Sequence, residues 1–269
     1  MAIGIGCGSW ADPEYAGLLY PRGFPPDLRL CGYAMWFEHV EVNATYYAVP
    51  KKEQITKWVE QTPASFRFDI RLHQAFSRSP VKAAQGSLFD AMLEGLEPLL
   101  KAKRLGTFLF VVSPFFKPEK NKLEELDGVI EKVRPYPLAI ELRHCDWVDA
   151  KTRASTLHFF RERKVTWVAV DMPRIKGATL MPPVDEVTNP QLAYLRLHGR
   201  NPDYTKVKTA AERHVYVYSD KELRELTARV QGLARKAKDV RVVANNHAQD
   251  FAPKTALALK GLLGQPFTA

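Results

Sequence analysis

The sequence predicts an α/β fold and, within that class, a single (β/α)8 TIM-like barrel domain over residues 1–269. Three observations predict it. Eight short stretches rich in Val, Ile, Leu and Phe, bounded by Pro, Gly, Asn or Asp, recur along the chain. Helical periodicity fills the intervals between them. No composition shift or flexible linker divides the 269 residues, a length at which barrels are commonly undivided.

The expected strands lie at 3–9 (IGIGCGS), 38–45 (EHVEVNAT), 66–73 (FRFDIRLH) and 106–113 (GTFLFVVS), then at 137–143 (PLAIELR), 165–171 (VTWVAVD), 192–198 (LAYLRLH) and 240–246 (VRVVANN). Among the helices, an amphipathic stretch around Ile55 and Trp58 follows Pro50, and 86–102 carries Leu88, Phe89, Met92, Leu93, Leu96, Leu99 and Leu100 on one stripe. Asp149 is placed to cap a helix over 150–163. Segment 219–237 opens with Ser219 and has Glu222 three residues later, a capping-box pattern ahead of Leu223, Leu226, Val230 and Leu233. The proline-rich stretches 21–26 and 181–190 are expected as long loops.

An open dinucleotide-binding sheet is the main rival, because Gly6-x-Gly8-x-x-Ala11 superficially fits its phosphate fingerprint. That motif needs a helix to begin at the glycines. ADPEYAGLLYPRGFPP follows instead, and its prolines oppose an immediate long helix.

Composition narrows the function classes. No tract is long and apolar enough to span a membrane, and the N-terminus lacks a basic region followed by an apolar run, so no membrane partner and a cytoplasmic setting are expected. Cys7, Cys31 and Cys145 form no CxxC pair, which argues against a zinc knuckle or a disulfide framework. The formal charge of +9, from 39 basic and 30 acidic residues, favours anionic partners. The most direct reading is an anionic small-molecule substrate, with nucleic acid as the alternative; the oligomeric state is left open.

In a parallel barrel both strand faces should be mostly apolar. Several strands break that rule. Glu41 and Asn43 share a face, as do Arg67, Asp69, Arg71 and His73, then Glu141 and Arg143, then Arg196 and His198. Apolar residues alternating with them would meet the helices, so the polar set points into the barrel. Each unpaired charge there costs on the order of several kcal/mol, so these groups must pair with one another or meet ligand at the mouth. An internal ion-pair network, with Arg67 and Asp69 closing its lower end, is the purely structural alternative.

At the strand ends, Glu41, Glu141 and Asp171 are candidate acids or bases, and His73, His144, His198 and His247 candidate proton carriers. Arg143, Arg196 and Arg200 could grip a phosphate or carboxylate, with Gly199, Tyr204, Asn245 and Asn246 around them. Trp10, Tyr46, Tyr47, Trp147 and Tyr204 would form an aromatic wall. No cofactor is predicted. Carboxylates and histidines converging on one mouth leave a divalent metal open, although no HExxH or comparably spaced set supports it. Ser9 and Ser113 end strands without a nucleophile elbow, which disfavours a serine triad.

Together E-V-N-A-T-Y-Y at 41–47, W-x-x-Q-T-P-x-x-F-R-F at 58–68, E-L-R-H-x-x-W at 141–147, R-L-H-G-R at 196–200, Y-x-Y-S-D-x-E-L at 216–223 and N-N at 245–246 resemble the family called domain of unknown function 72, also called YecE-like. The resemblance implies a TIM-like barrel with a polar pocket at the strand C-termini, formed by Glu41, Asn43, Tyr46, Glu141, Arg143, His144, Trp147, Arg196, His198, Gly199, Asn245 and Asn246. It implies no particular reaction. His247 departs from the family pattern, standing where a small or acidic residue is usual.

The functional expectation is therefore a hydrolase-type enzyme for a phosphorylated or nucleotide-like substrate. Glu41 or Glu141 would be its acid/base, His198 its proton carrier, and Arg143, Arg196 and Arg200 its anion clamp. The alternatives are a nucleic-acid-binding protein or nuclease with a basic rim, and a ligand-binding module without turnover. Glu41 and Glu141 locked in ion pairs would favour the last.

Overall fold

A computed structural model describes residues 2–266. Eight parallel strands run round a TIM-like (β/α)8 barrel: β1 (Ala2–Cys7), β2 (His39–Val42), β3 (Arg67–Arg71), β4 (Leu105–Val111), β5 (Leu138–Glu141), β6 (Thr166–Asp171), β7 (Leu192–Leu197) and β8 (Asp239–Ala244). Ladders join each strand to the next from β2 to β8, and β8 to β1. The helices are α1 (Arg29–Ala34), α2 (Lys52–Glu60), α3 (Gln74–Arg78), α4 (Pro80–Gln85), α5 (Leu88–Lys101), α6 (Asp127–Val133), α7 (Arg153–Arg163), α8 (Ala210–Arg213), α9 (Asp220–Ala234) and α10 (Phe251–Leu262). No helix of the described residues is long and apolar enough to cross a membrane.

Local chemistry sets the elements where the sequence places them. Ser219 Oγ accepts from Glu222 N while the Glu222 carboxylate accepts from Ser219 N, so α9 starts with its free amides satisfied. Asp149 accepts from the amides of Lys151 and Thr152 just ahead of α7. Outward-facing Val40, Val42, Phe68, Ile70, Leu195 and Leu197 are almost wholly buried against the helices and loops around the barrel.

Two features depart from the expected regularity. Between β6 and β7 the chain runs through residues 172–191 with no helix among them. Pro173, Pro182, Pro183 and Pro190 deny it the backbone donors, and specific bonds replace the missing helix: Trp167 Nε1 donates to Val184 O, and Thr188 Oγ1 accepts from Trp167 N. Between β1 and β2, in place of a backbone ladder, Tyr33 joins the strands. Its hydroxyl accepts from Cys7 N at 2.7 Å and donates to His39 O at 3.0 Å.

The strand after Pro63 ends earlier than expected, at Arg71. His73 becomes the N-cap of α3, its Nδ1 accepting from Ala75 N, and so stands apart from the mouth. Arg67 donates to the carbonyls of residues 64–66 rather than to Asp69, which corrects the expected lower-end pair.

Candidate active site at the barrel mouth

The polar residues read from the strands do point inward, and they form tiers. In the middle tier Arg196 on β7 lies between Glu41 on β2 and Glu141 on β5, all three essentially buried. Its Nε and Nη2 donate to Glu41 at 2.9 and 2.7 Å, and its Nη1 donates to Glu141. Glu41 also accepts from Asn43 Nδ2 at 3.1 Å and from the Tyr194 hydroxyl at 3.1 Å. Glu141 accepts from Arg143 Nη1 at 2.8 Å.

This tier corrects two functional expectations. Burial alone would raise the Glu141 pKa, but Arg196, His198 and Arg143 outweigh it and hold the carboxyl well below its ordinary range. It is a fixed anion at neutral pH, not a proton donor. Arg196 spends its guanidinium on two carboxylates and has no face left for a substrate anion.

Above this tier an open cleft of about 300 Å³ forms the mouth. Gly8, Asp12, Asn43, Arg71, His214 and His247 line it, with Tyr47 and Asn245. Arg71, from the end of β3, donates through Nη1 to Asn43 Oδ1 at 3.0 Å and lies 4.0 Å over the Tyr46 ring. Its Nε is shut off from solvent with no hydrogen-bond partner among the described residues. Burial, together with the nearby charges of Arg196 and Arg143, pushes its pKa down to about 10. Arg143 reaches from Glu141 to the Tyr204 hydroxyl, 3.2 Å from its Nη2.

A chain of imidazoles borders the cleft. Asn245 Nδ2 donates to His198 Nδ1, and Asn245 Oδ1 accepts from His247 Nε2. Burial drives the His198 pKa down to about 3 despite Glu141, so this ring is neutral and takes up no second proton near neutrality. His214 Nδ1 donates to His198 O, and burial lowers its pKa to about 4. His247 is the more open ring: its Nδ1 lies 3.5 Å from the Tyr15 hydroxyl and 4.0 Å from Asp12 Oδ2. Burial lowers its pKa too, against an opposing pull from Asp12.

Other expected site residues have structural partners. Arg200 is bound in bidentate fashion by Asp171, at 2.9 and 3.0 Å, and also meets Glu222 and Glu225. It is therefore not part of a free anion clamp, and Asp171 is equally committed, accepting from Arg229 and Tyr218 as well. Gly199 turns the chain outward at φ +83°. Asn246 turns away from the cleft, its Nδ2 donating to Tyr216 O and Thr255. Trp147 stacks on Phe116 and donates to its carbonyl, as a packing residue of the rim.

His144, Cys145 and Asp146 bring their ligand atoms within 4.8 Å of one another, and this rim trio could hold a metal. Burial and the neighbouring Asp146 raise the Cys145 pKa, so the thiol is protonated as it stands. The carboxylates of the inner tier are instead occupied by arginines.

Sequence reasoning put Arg71 on the right face but did not select it, and it named His247 as a candidate proton carrier at a strand end without including it in the expected pocket. Asp12, Tyr15 and His214 were missed. They come from loops after β1 and β7, where no alternation marks a side chain's direction. The cue available was position: each follows a strand's C-terminal end.

Comparison with known proteins agrees with this architecture. The family model described as "Protein of unknown function DUF72" matches residues 4–269. The UPF0759 protein YunF of Bacillus subtilis is 28% identical over 256 residues, covering 91% of this chain and 89% of that protein. The UPF0759 protein YecE of Escherichia coli is 28% identical over 182 residues, covering 65% of this chain and 61% of its own. Among solved structures, a DUF72 family protein of Thermotoga maritima superposes with a TM-score of 0.87 at 29% identity, covering 98% of this chain and 100% of that one. One from Enterococcus faecalis gives 0.85 at 28% identity, covering 98% and 96%. The motifs, the eight-stranded barrel and these matches lead to one conclusion: the chain belongs to the DUF72 family.

Proposed function

We propose that the mouth binds a small anionic substrate, phosphorylated or nucleotide-like, and that His247 handles the proton in its turnover. Arg71 carries this reading. Three guanidinium groups (Arg71, Arg143 and Arg196) face two inner carboxylates, Glu41 and Glu141, and of the three Arg71 lines the cleft, whose own carboxylate, Asp12, lies beside His247. Arg71 is also the arginine of this set with an unused, solvent-shielded donor. Its hydrogen bond among the described residues goes to the neutral Asn43 Oδ1, so an incoming oxyanion would give it a charged partner at the cleft.

His247 is the best placed acid/base group because Asn245 holds its Nε2, leaving Nδ1 toward Asp12 and the cleft. Glu41, Glu141 and Arg196 then serve as the rigid support of the site. Their locked geometry equally favours a second reading, a ligand-binding module without turnover.

Isothermal titration with inorganic phosphate, sugar phosphates and nucleotides tests the anion site. One class should bind, and Arg71→Gln, with an unchanged Tm, should weaken it by about tenfold or more, the loss expected for a hydrogen bond to a charged group. Equal binding by wild type and variant would sink the proposal. If His247→Gln binds normally and neither protein turns the ligand over, the module reading holds. A steep salt dependence with single-stranded DNA and none with small phosphates would favour nucleic acid instead.

A further inference from the structure

Just beyond β5, three consecutive residues supply an imidazole, a thiol and a carboxylate: His144, Cys145 and Asp146. Their ligand atoms all lie within 4.8 Å of one another. Cys145–Val148 form a single 3-10 turn, and neighbouring segments tie it down. Cys145 N donates to Thr179 O in the chain between β6 and β7, Thr152 Oγ1 donates to Asp146 O, and Trp147 Nε1 donates to Phe116 O. A fixed backbone therefore presents the three groups, as a preformed site requires.

The state of each group suits a cation. Asp146 N donates to His144 Nδ1, so that nitrogen keeps a bare lone pair and the ring proton sits on Nε2. At 3.4 Å this bond is long and readily exchanged for a stronger one. Asp146 turns one oxygen to each neighbour: Oδ2 lies 3.5 Å from His144 Nδ1, and Oδ1 lies 3.4 Å from Cys145 Sγ. Bonds of about 2.0–2.3 Å set the ligand atoms of a tetrahedral Zn²⁺ roughly 3.3–3.8 Å apart, and both contacts fall in that range. Glu41, Glu141 and Asp171 are each held by arginine, whereas Asp146 has no lysine or arginine partner among the described residues. His144 is buried, Cys145 half-buried and the Asp146 carboxylate exposed, so the cluster opens to solvent on one side.

We propose that His144, Cys145 and Asp146 form a Zn²⁺ site at the barrel rim, with a further position left to water. Sulfur and imidazole ligands select Zn²⁺ over Mg²⁺ and Ca²⁺, which take oxygen ligands. On binding, the Cys145 S–H bond is replaced by an S–Zn bond, and its proton passes to solvent. Three protein ligands with an open position are the pattern of zinc sites that act on a substrate, and the C-terminal ends of barrel strands are where such chemistry is placed. None of the three residues lines the cleft beside Arg71, so this site stands independently of anion binding there.

The test is titration of the untagged, chelator-stripped full chain with Zn²⁺ and with Co²⁺ as its coloured substitute. One Zn²⁺ should bind per chain, and excess Mg²⁺ should not displace it. Co²⁺ should give the near-ultraviolet charge-transfer band of a cobalt–thiolate bond, which added Zn²⁺ should bleach. Cys145→Ser should abolish the band and weaken Zn²⁺ binding by about a hundredfold or more, beyond the roughly 10- to 100-fold typical of losing an outer partner. Cys31→Ser, which removes an exposed thiol elsewhere, should leave both unchanged. Asp146→Asn, an exposed change that spares the fold, supplies a second arm and should weaken Zn²⁺ binding by about tenfold or more. The proposal is overturned if Zn²⁺ does not bind, if Mg²⁺ displaces it, if the band survives Cys145→Ser or disappears in Cys31→Ser, or if Asp146→Asn binds like wild type.

Discussion

Asn245 Nδ2 lies 3.0 Å from His198 Nδ1 while its Oδ1 lies 2.8 Å from His247 Nε2. One amide therefore fixes the tautomers of two imidazoles. Its N–H end requires a bare Nδ1 on His198, which puts that ring's proton on Nε2, 3.4 Å from Glu141 Oε1. Its carbonyl end requires a proton on His247 Nε2 and leaves His247 Nδ1 bare toward the cleft. Asn245→Asp replaces the donor with an acceptor and should force a proton onto His198 Nδ1. Imidazole ¹⁵N shifts should move His198 from the Nε2–H tautomer to the doubly protonated form at neutral pH. An unchanged pattern would refute the assignment.

Stability should fall in mild acid. His198 and His214 have folded pKa values of about 3 and about 4, below the ordinary 6.5, because burial disfavours their charged forms. Between those values and 6.5 the unfolded chain binds more protons than the folded one, so stability rises with pH through this window and is lost on acidification. Each ring contributes up to about 1.4 kcal/mol per pH unit, so the pair gives roughly 2 to 3 kcal/mol per unit from pH 6 towards pH 4. Urea unfolding across that range checks it, and His198→Gln with His214→Gln should flatten the slope.

Arg196→Met should be severely destabilising, by about 3–5 kcal/mol, since it leaves Glu41 and Glu141 buried without their shared counter-charge. The triple variant Glu41→Gln, Arg196→Met, Glu141→Gln should recover part of that loss. Chemical denaturation of the two proteins separates the cost of an orphaned charge from the net worth of the network. A triple variant less stable than the single one would contradict the account.

Tyr33→Phe should cost about 1–3 kcal/mol, the penalty for leaving Cys7 N and His39 O buried without their bridge. Hydrogen exchange should report it locally, with the Cys7 amide losing protection before the amides of β5 and β6.

The strands were legible because their apolar content and their Pro, Gly, Asn and Asp boundaries are local signals. Even the inward direction of Glu41, Asp69, Glu141 and Arg196 could be read from alternation. Their partners could not. Arg196 meets Glu41 from 155 positions away, and Arg200 meets Asp171 from 29. Alternation gives the face of a side chain but says nothing about what stands opposite it in a closed barrel. For the same reason Arg196 and Arg200 read as free cations, while Arg71, which keeps an unused donor, did not stand out. The missing helix after β6 was hidden differently: its prolines marked a loop, but not that the loop would cap β6 through Trp167 and Thr188.

The arginine held between two glutamates also constrains how such a chain can drift. Any first step away from the arrangement, at Glu41, Glu141 or Arg196, strands a charge in the interior at a cost comparable with much of the roughly 5–15 kcal/mol that keeps a typical domain folded. Neutral replacement therefore requires concerted change at positions on three strands. Lineages descending from this sequence should vary freely on the helix faces and in the loops around the mouth, where new ligand preferences can arise, while the three interior positions change together or not at all.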